Sequence, residues 1–161
     1  MPISKLRQFL DSNHVKYLVI SHSPAYTAQG IAALSHLSGK KLAKTVIVKV
    51  DGVLAMAVAP AALHVDLDRL RRIVGARSVE VATEEEFKDA FPDCETGAMP
   101  PFGNLYDMAV YVDASFAEDE EITFSAGTHH ELVRMHWYDL ARLVNPLIAP
   151  LTHGRPGAVA A

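Results

Sequence analysis

The stretch GKKLAKTVIVKVDG, residues 39–52, predicts a β-strand that ends in a tight turn. Its middle is rich in β-branched residues, which favour extended backbone, and the pair Asp51-Gly52 is a strong hairpin signal. The following segment VLAMAVAP, residues 53–60, is then the partner strand of the hairpin. Side chains alternate between the two faces of a strand. One face would carry Leu42, Lys44, Val46, Val48 and Val50, and the other Ala43, Thr45, Ile47 and Lys49.

Lys44 is the unexpected residue on the more apolar face, which we expect to lie against the core. Two explanations are open. Its ammonium group reaches solvent at the edge of the sheet, or it is held in a pocket where it meets a phosphate or a polar group of a substrate. The partner strand carries three small side chains on one face, which leaves room for a neighbouring element or a ligand: Ala55, Ala57 and Ala59.

Size and charge limit the possible functions of the chain. Its 161 residues suffice for one domain with a hydrophobic core, and we expect this domain over residues 1–152, with a flexible tail over residues 153–161. The net charge of −4 provides no overall basic field, so any contact with nucleic acid must be local, at a short single-stranded end. No signal peptide or membrane-spanning run is recognised, and a cytoplasmic location is expected.

The remaining segments alternate irregularly between helix and strand patterns. Helices are predicted in ISKLRQFLDSN, TAQGIAALSHLSG, HVDLDRLRRIVG, TEEEFKDAF and YDLARLVN, with Thr27 and Asp66 as N-caps and Gly39 and Gly75 as stops. Strands are predicted in KYLVISH, SVEVA, MAVYVD, EITFSAGT and HHELVRMHW. Because strict strand–helix–strand alternation is missing, the fold class is α+β: a single domain with a mixed, curved, barrel-like sheet and flanking helices.

The segment GAMPPFGN, residues 97–104, cannot form regular structure. Glycines allow a close approach to a ligand, and prolines fix the directions of the remaining backbone N–H groups. Such a loop is a suitable wall for a small-molecule pocket, although a purely structural crossover is the alternative.

The other reactive side chains form no recognisable motif. Lys44-Thr45 lacks the glycines of a phosphate-binding loop. His129 and Glu131 would lie on one face of a strand, and His130 and His136 on the other, so no metal site is predicted. His129 either reaches a pocket or forms a hydrogen bond at the strand end. Cys94 has no assignable base and is expected to be inert.

Four segments, in this order, resemble the family of YbaK and the prolyl-tRNA-synthetase editing domain, whose members are aminoacyl-tRNA deacylases acting in trans. They are SHSPAYTAQGIA at residues 21–32, the strand lysine of LAKTVIV, GAMPP at residues 97–101, and FSAGTHHELVRM at residues 124–135. Gln29 stands where an acidic residue is common in the family. The resemblance covers residues 3–145.

The resemblance implies hydrolysis of the ester between a mischarged amino acid and tRNA, and no cofactor is expected for it. It implies that Lys44, Gly97 and Pro101 form the catalytic site, with the loop N–H groups holding the amino acid and stabilising an oxyanion. Attack by water is favoured, because no Ser-His-Asp set is visible. The substrate-binding residues implied are His22, Thr27, Thr45, Ala98, Met99, Phe102, Gly103, Gly127 and His129.

The implied partners are the tRNA acceptor end and an aminoacyl-tRNA synthetase. A membrane partner and specific DNA binding are not expected. Alanine, serine, threonine and cysteine are all open as the amino acid removed, because one methylene changes binding by only ~1–3 kcal/mol. The alternative function is a non-catalytic module of the same fold that binds tRNA or a synthetase.

Overall fold

The structure is a computed structural model that describes residues 3–21 and 42–153. The described part contains four α-helices: α1 (Ser4–Ser12), α2 (Leu67–Val74), α3 (Glu84–Phe87) and α4 (Trp137–Val144). Its strands are β1 (Tyr17–Ser21), β2 (Leu42–Val50), β3 (Val53–Pro60), β4 (His64–Val65), β5 (Val79–Val81), β6 (Ala109–Asp113), β7 (Glu121–Ser125), β8 (Glu131–His136), β9 (Leu147–Ala149) and β10 (Thr152–His153). The helix predicted in TAQGIAALSHLSG lies outside the described residues.

Eight of these strands form one mixed sheet in the order β1-β8-β7-β2-β3-β6-β9, with β5 paired to the end of β2. The β2–β3 hairpin is antiparallel, whereas β2–β7, β3–β6 and β6–β9 are parallel. The sequence predicted a single α+β domain with a mixed sheet, and this prediction is confirmed.

The β2–β3 hairpin turns where the sequence indicated. Asp51 has φ 50° and Gly52 has φ 84°, the left-handed pair that closes a two-residue hairpin. The Asp51 carboxylate also accepts backbone N–H bonds from Arg77 and Ser78, both at 2.9 Å, which attach the turn to the chain entering β5.

Both faces of β2 are covered, and this corrects one prediction. The main core lies on the face of Ala43 and Ile47, where α1 and α4 also pack. The face that looked more apolar carries only a smaller cluster, in which Val48 packs with Leu70 of α2 and with Leu151. The number of apolar side chains in β2 therefore did not indicate the main core, because helices cover both faces of the central strand.

The helix ends follow local sequence signals. Asp66 caps α2 by accepting the Arg69 N–H at 3.0 Å, and Gly75 ends the helix with φ 69°. Thr83 and Glu86 form a capping box at the start of α3. Within the described residues, no helix is long and apolar enough to cross a membrane.

The last described residues close the smaller cluster. Leu151 is fully buried, and its N–H donates to the buried Asp113 carboxylate at 2.8 Å. Thr152 and His153 then pair with β4 as a two-stranded ribbon. The chain is therefore held in place as far as His153, because a buried carboxylate and a strand partner bind it.

Candidate active site

Lys44 lies on β2 with its side chain on the face of the smaller cluster. It is directly opposite Ala59 of β3, one of the three alanines at positions 55, 57 and 59. Within residues 3–21 and 42–153, the amine has no hydrogen-bond or ion-pair partner. Partial burial lowers its pKa, because the charged form loses water without gaining a counter-charge. A ligand that supplies negative charge or hydrogen-bond acceptors would complete this environment.

The floor beside Lys44 is made of small side chains. Ala59 is opposite Lys44, Ala57 is opposite Val46 and Ala55 is opposite Val48, so all three alanines share the lysine's face. Their exposed fractions are 0–2%. Ala55 and Ala57 pack with Leu70 and Leu151 in the smaller cluster, which leaves Ala59 as the alanine directly beside Lys44.

The loop of residues 97–101 turns sharply at Gly97, which has φ 85°. Pro100 and Pro101 have no N–H group. Of the remaining donors in the loop, Ala98 N–H is bonded to Glu95 O at 3.0 Å. The N–H groups of Gly97 and Met99 have no acceptor among the described residues. These two donors are therefore the ones in this loop that the described protein leaves without an acceptor.

A set of four hydrogen bonds fastens this loop to the turn between β7 and β8; we call it the loop clamp. Glu95 N–H donates to Gly127 O and Gly127 N–H to Ala98 O, both at 2.8 Å. The His129 imidazole Nε2 lies 2.7 Å from Thr96 O, and the His129 N–H donates to Glu95 Oε1 at 3.3 Å. Because a carbonyl oxygen can only accept, Nε2 of His129 carries a proton.

The loop clamp lies near Lys44 along the chain of β7. Phe124 of β7 pairs with Ala43, the neighbour of Lys44, and Gly127 follows three residues later. Three extended residues span about 10 Å. The turn of the loop clamp therefore begins about 10 Å from the Ala43–Phe124 pair, although the loop and the lysine belong to segments more than 50 positions apart.

Three of the implied binding residues lie in the core instead of an open pocket. Met99 and Phe102 belong to the main core, and the Phe102 ring packs between Phe9 and Phe124 with centroid distances of 5.9 and 5.5 Å. A Cβ atom on Gly103 would lie 2.3 Å from Met108 O, so this glycine permits close backbone packing. These residues hold the loop against the main core.

The other implied residues are placed as follows. Thr45 lies on the opposite face from Lys44, paired with Val58. Ala98 is fully buried, and Gly127, with φ 96°, uses its N–H and its carbonyl group in the loop clamp. His22 and Thr27 lie outside the described residues.

The histidines differ from their predicted strand positions. β8 begins at Glu131, so His129 and His130 lie in the preceding turn and not on a strand face. Trp137 begins α4 and does not continue the strand. Within the described residues, no group of three or more His, Cys, Asp or Glu side chains could hold a metal ion.

Cys94 is half-buried near the loop clamp. Its Sγ atom lies 3.3 Å from the Tyr106 hydroxyl, and burial raises the pKa of the thiol to about 11. Burial also raises the pKa of Tyr106. The thiol is therefore protonated near neutral pH and is a poor nucleophile, consistent with the expected inert cysteine.

Glu95 and Thr96 are the residues that sequence reasoning missed. Their contacts with His129 join positions 34 and 33 residues apart. Nothing in the local sequence indicates such a pairing, since an exposed acidic residue before a glycine is typical of ordinary surface turns.

Solved structures show which class of fold this is. The hypothetical protein APE2540 superimposes with a TM-score of 0.83 and 18% identity, covering 93% of this chain and 100% of that chain. A protein described as a candidate trans-editing enzyme for prolyl tRNA synthetase gives a TM-score of 0.80 and 21% identity, covering 93% and 96%. At these identities, the likeness establishes the fold alone.

The sequence itself establishes the family. Residues 22–143 match the model of the aminoacyl-tRNA editing domain, and the chain belongs to this family. The proline--tRNA ligases of Bacillus mycoides (strain KBAB4) and Bacillus cereus (strain AH187) are 28% identical over 87 residues, which are 54% of this chain. The chain spans about 15% of the length of these ligases. The resemblance seen in the sequence is confirmed.

Proposed function

We propose that this protein is a trans-editing hydrolase that removes a small amino acid from mischarged tRNA. The observation that carries the proposal is Lys44, a partly buried ammonium group without a counter-charge among the described residues, on a floor of alanines. The group proposed to meet this lysine is the acceptor end, through a phosphate or the bound aminoacyl group, and membership of the aminoacyl-tRNA editing family supports this choice of ligand.

The proposed reaction needs water, positioning and an oxyanion site. The water oxygen attacks the ester carbonyl carbon, and a tetrahedral oxyanion forms. The bond to the terminal ribose oxygen then breaks, and that oxygen takes up the proton that the attacking water gives up. The N–H groups of Gly97 and Met99 are the donors proposed for the oxyanion, since a fixed donor stabilises charge without reorganising during the reaction. An aminoacyl ester is already labile, so positioning can supply much of the remaining acceleration.

We expect the site to select amino acids by the size of their side chains, because small residues lie beside Lys44 on β3. A rigid wall excludes large side chains more sharply than it rejects small ones. We therefore expect alanine, serine, threonine and cysteine to be removed, and leucine and phenylalanine to be spared. Ala59→Val should lower kcat/KM for threonyl-tRNA more than for alanyl-tRNA. A thermal melt accompanies these rates, because Ala59 is fully buried and the larger side chain also strains the local packing.

The substrate and partners follow from the same proposal. The ligases that share this domain charge proline, so proline-specific tRNA is the first tRNA to test, and the prolyl synthetase is the first partner. A mischarged tRNA substrate would place the protein in the cytoplasm.

The deciding experiment is hydrolysis of a panel of aminoacyl-tRNAs by the purified protein. Release of small amino acids, lost in Lys44→Met, supports the deacylase. A protein that binds tRNA or a synthetase but releases no amino acid from any member of the panel would instead be the non-catalytic module.

A further inference from the structure

A surface hollow of about 180 Å³ lies at the β1 edge of the main sheet, away from the loop clamp. Its lysine and its arginine come from neighbouring segments: Lys16 precedes β1, and Arg134 belongs to β8. The lining residues are Lys16, Tyr17, Leu18, Glu121, Arg134, Met135 and His136.

Strand register places this hollow on the same sheet face as Lys44. Leu18 pairs with Arg134, Arg134 pairs with Thr123, and Thr123 pairs with Leu42, two residues before Lys44. Directly paired residues share a face, as do residues two apart on one strand. Two strand spacings and two residues separate Arg134 from Lys44, a distance of about 12 Å between Cα atoms.

The chemistry of the hollow suits a phosphate beside an apolar group. Arg134 is paired only loosely, since its Nε lies 3.9 Å from Glu121 Oε2 and both side chains are partly exposed. Such pairs are weak in water, so a phosphate can displace the carboxylate and accept two parallel hydrogen bonds from the guanidinium N–H groups. Leu18 is 49% exposed beside Arg134 and offers an apolar surface to a ribose or base.

We propose that this hollow binds a backbone phosphate of the tRNA acceptor strand while Lys44 meets the aminoacylated end of the same strand. The inference rests on the proposed function for its choice of ligand. It explains how a chain with a net charge of −4 attracts RNA, because Lys16 and Arg134 line one hollow and attract a phosphate locally, whereas the overall charge does not.

Binding of uncharged tRNA tests the proposal without requiring any hydrolysis. Arg134→Gln and Lys16→Gln should each raise the Kd about three- to tenfold and reduce the slope of log Kd against log salt by about one. Glu121→Gln should lower the Kd, because it removes a negative charge next to the phosphate. Arg142→Gln on α4, which removes an exposed arginine elsewhere, should change neither quantity.

Hydrolysis provides a second readout. Arg134→Gln should raise KM for an aminoacyl-tRNA with kcat unchanged, and should not affect an aminoacyl nucleoside that has no phosphate. If Arg134→Gln and Lys16→Gln bind tRNA like Arg142→Gln, the proposed surface is wrong. If the tRNA affinity depends on Arg134 but no aminoacyl-tRNA is hydrolysed, the surface stands and the deacylase proposal fails.

Discussion

At the scale of single residues, Lys44 combines a functional group with a cost in stability. Its pKa lies below the ordinary 10.5 because burial disfavours the ammonium form. Below the lowered pKa, both the folded and unfolded chains carry the charge, and the folded protein bears the full penalty. The penalty falls as the pH rises through the lowered pKa and is gone above 10.5, where the lysine is neutral in both states.

We predict that Lys44→Met abolishes deacylation while the melting temperature at pH 7 stays equal to or above that of the wild type. The stability gain should shrink as the pH approaches 10.5. Lys49→Met is the control on the same strand: Lys49 lies on the other face and pairs with Glu86 and Glu80, so this variant should keep its activity. A fully active Lys44→Met would contradict the proposed site.

Cys94 gives a second prediction at this scale. With a pKa of about 11, its thiol should react slowly with iodoacetamide at pH 7.5 and faster as the pH rises towards 11. Cys94→Ser should retain most of the hydrolytic activity. A covalent thioester trapped at Cys94 would show that water is not the attacking group.

At the scale of elements, the loop clamp joins the 97–101 loop to the β7–β8 turn. We predict that His129→Ala lowers kcat at least tenfold, because removal of the ring frees the Thr96 carbonyl and loosens the two proposed oxyanion donors. Glu95→Gln retains an oxygen acceptor for His129 N–H and should lower kcat much less. His130→Ala, an exposed neighbour, is the matched control. Equal losses in His129→Ala and His130→Ala would argue against the clamp.

Ala98 belongs to the same element, and its buried position changes what enlarging it would test. Ala98 has no exposed surface, and its carbonyl accepts the Gly127 N–H. Ala98→Val would therefore overpack the loop, at about 1–3 kcal/mol of stability, before it could narrow a pocket. Ala59→Val carries a similar cost, because Ala59 is also fully buried, so selection by size is judged from the ratio of kcat/KM for threonyl-tRNA to kcat/KM for alanyl-tRNA, which a loss of stability lowers equally.

The contact between β2 and α3 predicts an acid-sensitive link. Lys49 donates to Glu86, and this hydrogen bond, together with one from the Thr83 N–H, lowers the pKa of Glu86 from 4.5 to about 2. A lowered carboxyl pKa gives stability that is present above pH 4.5 and lost as the pH falls to 2. Glu86→Gln should therefore flatten the fall in melting temperature across this range while keeping the capping box. Glu85→Gln should retain the wild-type slope.

At the scale of the whole molecule, Asp113 joins the end of β6 to the last described strand. Its buried carboxylate accepts the N–H groups of Ser115 and Leu151 at 3.2 and 2.8 Å. We predict that Asp113→Ala lowers the free energy of unfolding by about 2–4 kcal/mol, because buried donors lose their acceptor. Asp113→Asn keeps an acceptor and should cost less. Urea unfolding measures both, and an unchanged Asp113→Ala would show that Leu151 is held by packing alone.

The sequence determined the features that depend on neighbouring residues. The β2–β3 hairpin follows from β-branched residues and the Asp51-Gly52 turn, and the ends of α2 follow from Asp66 and Gly75. Each of these is a local backbone preference, such as a positive φ or a capped N–H. The ordered motifs, including the lysine of β2 and the 97–101 loop, also sufficed to indicate the family.

The tertiary structure decided the features that depend on distant pairs. It set the main core on the face of Ala43 and Ile47, because helices cover both sides of β2. It also joined Glu95 to His129, and Asp113 to Leu151, across more than 30 positions. The strands β4, β9 and β10 are only two or three residues long, too short to show a periodic pattern. Such contacts form only when the whole sheet brings remote segments together, so no local preference predicts them.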